Sequence, residues 1–472
     1  MYQMVKAVSN RGQACYHRHA VMKEVNTFQN KCCFAVIFSS GRIGPGGTCQ
    51  IHALAGIVAL RTRGRQKLAF IGILVQCQFT AVVCSFPVFL PCRWLFCGKP
   101  DFIIDNKKMF SFIVSFVASA LLTLLIIKQV RLHSSALDSD FHGVQKVHSH
   151  SVARIGGLSI FLAVVLGAFV SIWRLPPMTY WMLSLLLCSG IAFIGGIAED
   201  FTGKVSPMGR LLLTMAGALL AYFLIDARID RVDWVFSSWA IPFIWLSLPI
   251  TVLAVAGIAN AINIIDGFNG LASVVSICML LSLAYVALQV NDSFILVAAL
   301  LVAGAITGFL IWNYPVGLIF LGDGGAYFIG FMLGELTLLL VMRNPQISTW
   351  YAILLLIYPA FETIFSAYRR AFIQGKSPVM PDGIHLHSLI FRRIVQWTVG
   401  RKEAKALMRR NSMTSPYLWL FSLTAVIPAT LFWRHSWLLI LCSLLFMTTY
   451  VWLYFRIIRF KSPRWMIMKK KK

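Results

Sequence analysis

Residues 243–289 read FIWLSLPITVLAVAGIANAINIIDGFNGLASVVSICMLLSLAYVALQ. Two apolar runs, 243–265 and 271–289, flank a short polar stretch. Each run has the roughly 17–25 residues that carry a helix across a bilayer. From the end of the first run to the start of the second stand Asn260, Asn263, Asp266, Gly267, Asn269 and Gly270, six polar or glycine positions within eleven residues. A helix C-cap accounts for one such residue, not six. Polar side chains in or at the edge of a membrane are costly, so this cluster marks function. On a helix Asn260 and Asn263 share a face. Asp266 lies one step further along, where the helix meets water. Gly267 and Gly270 permit turns and the close approach of a ligand.

The pattern repeats along the chain. The 472 residues are 58% hydrophobic and 13% charged, with mean hydropathy +0.75. That composition belongs to an all-α polytopic integral membrane protein. Further apolar runs of spanning length fall near 109–127, 155–173, 180–198, 208–225, 293–311, 325–342, 349–367, 417–433 and 437–455. With the two already quoted, about 10–11 transmembrane helices are expected. The formal charge of +26 would suit a phosphate-binding surface. The basic residues, however, fall mostly between apolar runs, so they are read as orienting the chain in the membrane, with no nucleic acid as partner.

Residues 1–108 differ from the remainder. They hold 8 of the 11 cysteines, 14 of the Lys and Arg, and only Glu24, Asp101 and Asp105 as acids. The cysteine spacing matches no metal or disulfide pattern. Residues 69–90 are apolar enough to span a membrane. The expected division is an atypical extension, 1–108, not needed for function, and a membrane domain, 109–472, with Met109 read as the natural start.

The loops alternate in charge. One set, 128–154, 199–207, 266–270, 312–324, 368–416 and the tail from Arg456, carries most of the Lys and Arg, among them Arg369, Arg370, Arg392 and Arg393. The positive-inside rule puts that set in the cytoplasm. The polar stretch after 260 lies in the same set, and so do the other informative clusters.

The first loop contains Asp140, Lys146, His148 and Arg154-Ile155-Gly156-Gly157, with cations at a helix entry. The second ends an apolar helix with Glu199-Asp200. Carboxylates there oppose the helix dipole. A magnesium ion or a proton-accepting role would explain that cost. The third is Gly322-Asp323-Gly324-Gly325 before a new helix. Its backbone N–H groups suit phosphate, and Asp323 could hold Mg²⁺ against that anion. The fourth is Pro381-Asp382-Gly383-Ile384-His385-Leu386-His387-Ser388, followed by Arg392 and Arg393. Zinc is an alternative for a His-x-His pair, but further ligands are not evident. Hydrogen bonding to phosphate or sugar fits better. Glu362 needs a cation or polar ligand if buried. Glu335, the other intramembrane acid, has no role from the sequence.

These clusters, in this order, resemble the polyprenyl-phosphate N-acetylhexosamine-1-phosphate transferase family over about residues 109–455. Asn260 to Leu271 looks like its central NAxNxxDGxxGL stretch. Glu199-Asp200 is similar to its paired carboxylates, with Glu in the usual first Asp position. Asp323 matches its magnesium-binding Asp, and Pro381 to His387 resembles its loop with an HxH core. Asp140, Lys146, His148 and Arg154 to Gly157 match its DxPNxRKxH and PRxGG pattern. The resemblance implies transfer of sugar 1-phosphate from a UDP-N-acetylhexosamine to polyprenyl phosphate, giving a polyprenyl-diphospho-sugar and UMP. It implies Mg²⁺, with Mn²⁺ as a substitute. Glu199, Asp200 and Asp266 would be catalytic, and Asp200 and Asp323 would hold the metal. Lys146, His148, Arg154, Asn260, Asn263, Asn269, His385 and His387 would bind substrate. The loop form looks closer to initiators of O-antigen, capsule or related envelope glycans than to the lipid I branch of peptidoglycan synthesis. The implied location is the bacterial inner membrane. A homodimer is one assembly open to it.

Phosphoryl transfer needs positioning and charge neutralisation more than covalent help. Direct attack by the lipid phosphate is favoured over an aspartyl-phosphate route. Two other classes compete. A carrier or flippase of lipid-linked sugars would show repeats and polar residues near the membrane midplane. No repeat is evident, and the acids gather at one face. An inactive scaffold of envelope assembly would not need the retained acids.

Overall fold

The computed structural model describes residues 20–27, 30–37, 106–132, 152–233, 237–241, 243–375, 384–395 and 404–459. The chain divides into two compact units, Met1–Asp101 and Phe102–Lys472. In the first, β1 (Ala20–Thr27) and β2 (Asn30–Ile37) pair antiparallel, with Thr27 opposite Asn30. The candidate span at 69–90 lies outside the described residues.

The second unit is helical. Its elements are α1 (Asn106–Leu132), α2 (Gly156–Arg174), α3 (Thr179–Thr202), α4 (Pro207–Leu224), α5 (Ile244–Ile265), α6 (Leu271–Gln289), α7 (Ser293–Asn313) and α8 (Gly322–Arg343). They are followed by α9 (Thr349–Leu355), α10 (Ile357–Tyr368), α11 (Leu386–Ile390), α12 (Ala404–Leu431) and α13 (Ser436–Ile458). Nine described helices are long and apolar enough to cross a bilayer, and the α9–α10 pair would make a tenth. The molecule is an all-α polytopic membrane protein.

Local chemistry sets the helix ends. Gly203 closes α3 at φ 63°, where a side chain would be strained. Ser206 then caps α4 by accepting from the Gly209 N–H at 3.1 Å, and Pro207 occupies the first turn. Asp292 caps α7 through the Ile295 N–H at 3.2 Å.

Two expectations change. The run 349–367 is not one straight helix, because α9 and the α10 segment meet at 70°. Pro359 has no N–H to offer the Leu355 carbonyl four residues back, which ends α9 there. The span expected at 417–433 is the second half of a longer helix, α12. Its polar first half, read as loop, carries buried Asn411, Ser412, Thr414 and Ser415.

In lipid, helices gain nothing by hiding apolar surface from each other, so close packing of small residues decides which pairs form. Helix α1 presents Ser111, Ser115, Ser119 and Thr123 at four-residue spacing, all buried. Gly304 and Gly308 of α7 sit against this stripe, so close that a Cβ on either would overlap the Phe112 and Phe116 carbonyls. Thr123 bonds Ser159 of α2 at 2.7 Å, and Ser111 pairs with Ser171 at 2.9 Å.

Helix α8 is the centre, enclosed by α2, α3, α5 and α6. At its C-terminal end lies a short hairpin, β3 (Arg231–Asp233) with β4 (Ser238–Ala240). Arg231 donates to the carbonyls of Val341 and Ile347, each at 2.8 Å, and is held by Asp233 at 2.9 and 3.0 Å. A guanidinium at this negative end of α8 fixes the helix against the hairpin.

Candidate active site

The opposite end of α8 gathers the acids. Asp200, in the last turn of α3, accepts the Asp323 N–H on Oδ1 and the Gly324 N–H on Oδ2, both at 2.8 Å. A carboxylate that opposes the dipole of its own helix therefore completes the positive end of another. This corrects the expectation that these N–H groups await a phosphate: Asp200 occupies them. Gly322, at φ 77°, is required here, since a Cβ would overlap the Arg154 carbonyl and come 2.6 Å from Asp200 Oδ2.

The loop before α2 closes on the same point. The Phe320 N–H donates to the Ala153 carbonyl at 2.8 Å. The Gly156 and Gly157 N–H groups donate to Phe320 and Leu321 at 2.9 and 2.7 Å. Backbones meet so closely that a Cβ on Gly157 would collide with Gly325. This brings the charge of exposed Arg154 to bear on both Asp200 and Asp266.

The asparagine face of α5 points at α8, as expected for residues three apart. Asn263 donates from Nδ2 to Asp323 Oδ1 at 2.7 Å, and Asn260 accepts from the Tyr327 hydroxyl at 3.1 Å. Asp323 Oδ2 is ion-paired with Arg210 of α4. Arg210 also lies 5.8 Å from the Tyr327 ring centre, and its charge reaches Asp200. Asp266 follows the last turn of α5, and its carboxylate has no hydrogen-bond partner among the described residues. Burial holds its carboxyl well above the usual range; Arg154 opposes that shift and Asp200 adds to it.

The His-x-His pair reaches this turn from the other side. Glu362 of α10 is fully buried and accepts the Leu386 N–H at 2.7 Å. His385 Nδ1 and His387 Nδ1 lie 3.4 and 4.0 Å from the same oxygen. The two rings stack at 5.1 Å, and Phe268 meets His387 edge-on at 5.5 Å. A Cβ on Gly267 would stand 3.5 Å from His387 Nε2, so the histidine rests against the residue after Asp266. Burial pushes His387 down from 6.5 to about 4, although Glu362 pulls the other way; the imidazole is neutral at pH 7. The partner Glu362 was expected to need is therefore this pair and the Leu386 N–H.

Other expected site residues have other duties. Glu199 Oε2 accepts the Val205 N–H at 2.6 Å and braces the α3–α4 turn. Asn269 is buried and ties its loop to α12. Its N–H donates to Asn411 Oδ1 at 2.8 Å, and its carbonyl accepts from Ser415 at 2.6 Å. Arg393, expected near phosphate, donates to the Ile457 and Ile458 carbonyls at the end of α13. Glu335 is fully buried in α8, about 18 Å along the helix from Asp323. Its carboxylate has no hydrogen-bond partner among the described residues. Asp140, Lys146, His148 and Pro381 to Gly383 lie outside the described residues. Among the described residues no group of three His, Cys, Asp or Glu side chains is arranged to hold a metal ion. The sequence reading missed Arg210. An arginine one turn into an apolar helix is costly, and that cost was the available signal.

A family model, glycosyl transferase family 4, matches residues 182–341. The probable undecaprenyl-phosphate N-acetylglucosaminyl 1-phosphate transferase of Bacillus subtilis (strain 168) is 30% identical over 337 residues. That alignment covers 68% of this chain and 86% of the relative. The chain belongs to this family. Two further relatives align over shorter stretches. The undecaprenyl-phosphate alpha-N-acetylglucosaminyl 1-phosphate transferase of Thermotoga maritima is 29% identical, covering 54% of this chain and 72% of its own length. The decaprenyl-phosphate N-acetylglucosaminephosphotransferase of Mycolicibacterium smegmatis is 26% identical, covering 61% and 73%. The family-4 match contains Asp200, Arg210, Asn263, Asp266 and Asp323. Arg154, Glu362 and the histidine pair join the site from outside it.

Proposed function

We propose that this enzyme transfers the sugar 1-phosphate of a UDP-N-acetylhexosamine to polyprenyl phosphate. An oxygen of the lipid phosphate attacks the sugar-bearing phosphorus of the nucleotide sugar. The bond from that phosphorus to the bridging oxygen breaks, and UMP leaves. The observation that carries the reading is the meeting of Asp200, Asp266 and Asp323 with Arg154 and Arg210 at one end of the bundle. They come from α3, α5, α8, α4 and the loop before α2. Like charges are held together there with guanidinium groups between them, which suits a site for phosphates and a cation.

Mg²⁺ fits these residues. Asp266 is a half-buried carboxyl with no hydrogen-bond partner among the described residues, and Asp323, tied to Asp200 whose charge also reaches Asp266, is a second hard oxygen donor. Mg²⁺ ordinarily takes one or two carboxylates and completes its shell with water and phosphate oxygens. Asp266 and Asp323 would hold it, while Asp200, which accepts the Asp323 and Gly324 N–H groups, would set the position of Asp323. When bound, the ion would neutralise the diphosphate charge that builds on the leaving UMP.

The chain's own groups supply the remaining needs. Arg154, exposed at the rim, can meet an incoming phosphate. Neutral His387, packed against Phe268 and near Glu362, can hydrogen-bond the sugar or a phosphate oxygen. The lipid phosphate is largely ionised at neutral pH, so no strong base is required. The basic loops support a cytoplasmic location for this end, in the inner membrane of a bacterium. The His-x-His loop form supports initiation of O-antigen or another envelope polysaccharide. The test is UMP release from UDP-N-acetylglucosamine and undecaprenyl phosphate by the purified protein. Its absence, with the protein folded and both substrates present, would overturn the reading.

A further inference from the structure

Both oxygens of Asp323 are occupied. Oδ1 accepts from Asn263 at 2.7 Å, and Oδ2 is paired with Arg210. The Arg210 side chain is only 12% exposed, and its Nε has no hydrogen-bond partner among the described residues. A divalent ion that binds Asp323 comes up against one of these two partners. The amide of Asn263 is neutral and tolerates a nearby cation. The guanidinium is repelled by one. Arg210 is therefore the group that gives way.

We infer that Arg210 is a placeholder for the metal: it neutralises Asp323 until the ion arrives, then turns its guanidinium to the diphosphate. The inference rests on the proposed transfer reaction and deepens it. Three aspartates face two arginines here, so a divalent ion added with nothing else would leave the cluster overfilled with positive charge. A diphosphate entering with the ion removes that excess and offers paired oxygens to a planar fork that a carboxylate has just released. The ion and the nucleotide sugar then bind better together than either does alone, and Arg210 is the reason.

The test measures Mn²⁺ binding to the purified full-length protein, without nucleotide, from the loss of the free-ion paramagnetic resonance signal. Arg210→Gln removes the competing charge. It is expected to bind Mn²⁺ tighter by about 5- to 150-fold, the usual range for coupling between two binding events. Its KM for UDP-N-acetylglucosamine should rise. Arg210→Lys keeps the charge but not the fork. It is expected to bind Mn²⁺ as the wild type does, again with a raised KM. Equal Mn²⁺ affinity in wild type and Arg210→Gln would overturn the inference, as would an unchanged KM in Arg210→Lys. Asp323→Asn separates the two levels. If it binds Mn²⁺ as the wild type does, the metal assignment itself falls. If it loses Mn²⁺ while Arg210→Gln is unchanged, only the placeholder falls.

Discussion

Asp200 joins two helix ends with one side chain. Its two acceptors meet two N–H donors, so any substitution that removes an acceptor should carry a cost. Asp200→Asn places an amide donor against a backbone donor. Asp200→Ala leaves both N–H groups without a partner. Either should lower stability by about 1–3 kcal/mol, because partly buried donors left unpaired forfeit their solvation. Thermal unfolding in detergent measures this; no loss in either variant would show that solvent replaces the carboxylate. His387 makes a second prediction. Its value falls from 6.5 to about 4 on folding, so the unfolded chain binds the extra proton between those limits. Its contribution to stability is present above about pH 6.5 and is lost as pH falls toward about 4. His387→Gln should flatten that part of the melting-temperature profile. An unchanged slope would mean that the imidazole is solvated. Of the residue-level site, Asp200, Asn263, Asp266, Asp323 and the histidine pair were legible as polar clusters gathered in one set of loops and helix ends. The engagement of Glu199 and Asn269 with backbone was not, because a carboxylate or amide reads the same in sequence whichever partner it finds.

Helices α2, α3 and α8 meet through glycine backbones, so the acids lie closer than side-chain packing would allow. Gly157 against Gly325, and Gly196 against Asp323, leave no room for a methyl group. Gly157→Ala should separate the loop before α2 from α8. An overpacked site of this kind costs about 1–3 kcal/mol, and Arg154 would move off the acids with the loop. Transfer activity should fall more than the thermal midpoint does. Wild-type activity in Gly157→Ala would show that the contact is slack. At this scale most helices were legible, since apolar length alone decides a span. The bend between α9 and α10 was not, because Pro359 lies inside a run whose overall apolar length reads as one span. The first half of α12 was missed because its polar residues are buried against the loop at Asn269 instead of facing water.

The bundle has two unlike ends. One holds the acid cluster with Arg154 and Lys204 exposed beside it, and the other holds the Arg231–Asp233 latch and the turn at Asn291. The charge pattern of the loops predicts which end faces the cytoplasm. On a background without other reactive cysteines, an impermeant thiol reagent applied to intact cells should label Asn291→Cys and spare Lys204→Cys. The reverse pattern would invert the molecule. Transfer chemistry is the central claim, and Asp323 is where it is most exposed to test. Asp323→Asn keeps the shape and the bond from Asn263 while removing the charge that pairs with Arg210 or a metal. UMP release against Mg²⁺ concentration, at matched levels of protein, should fall by about 10²–10³ in this variant, as when a charge-stabilising group is lost elsewhere. Turnover and magnesium response equal to the wild type would contradict the account.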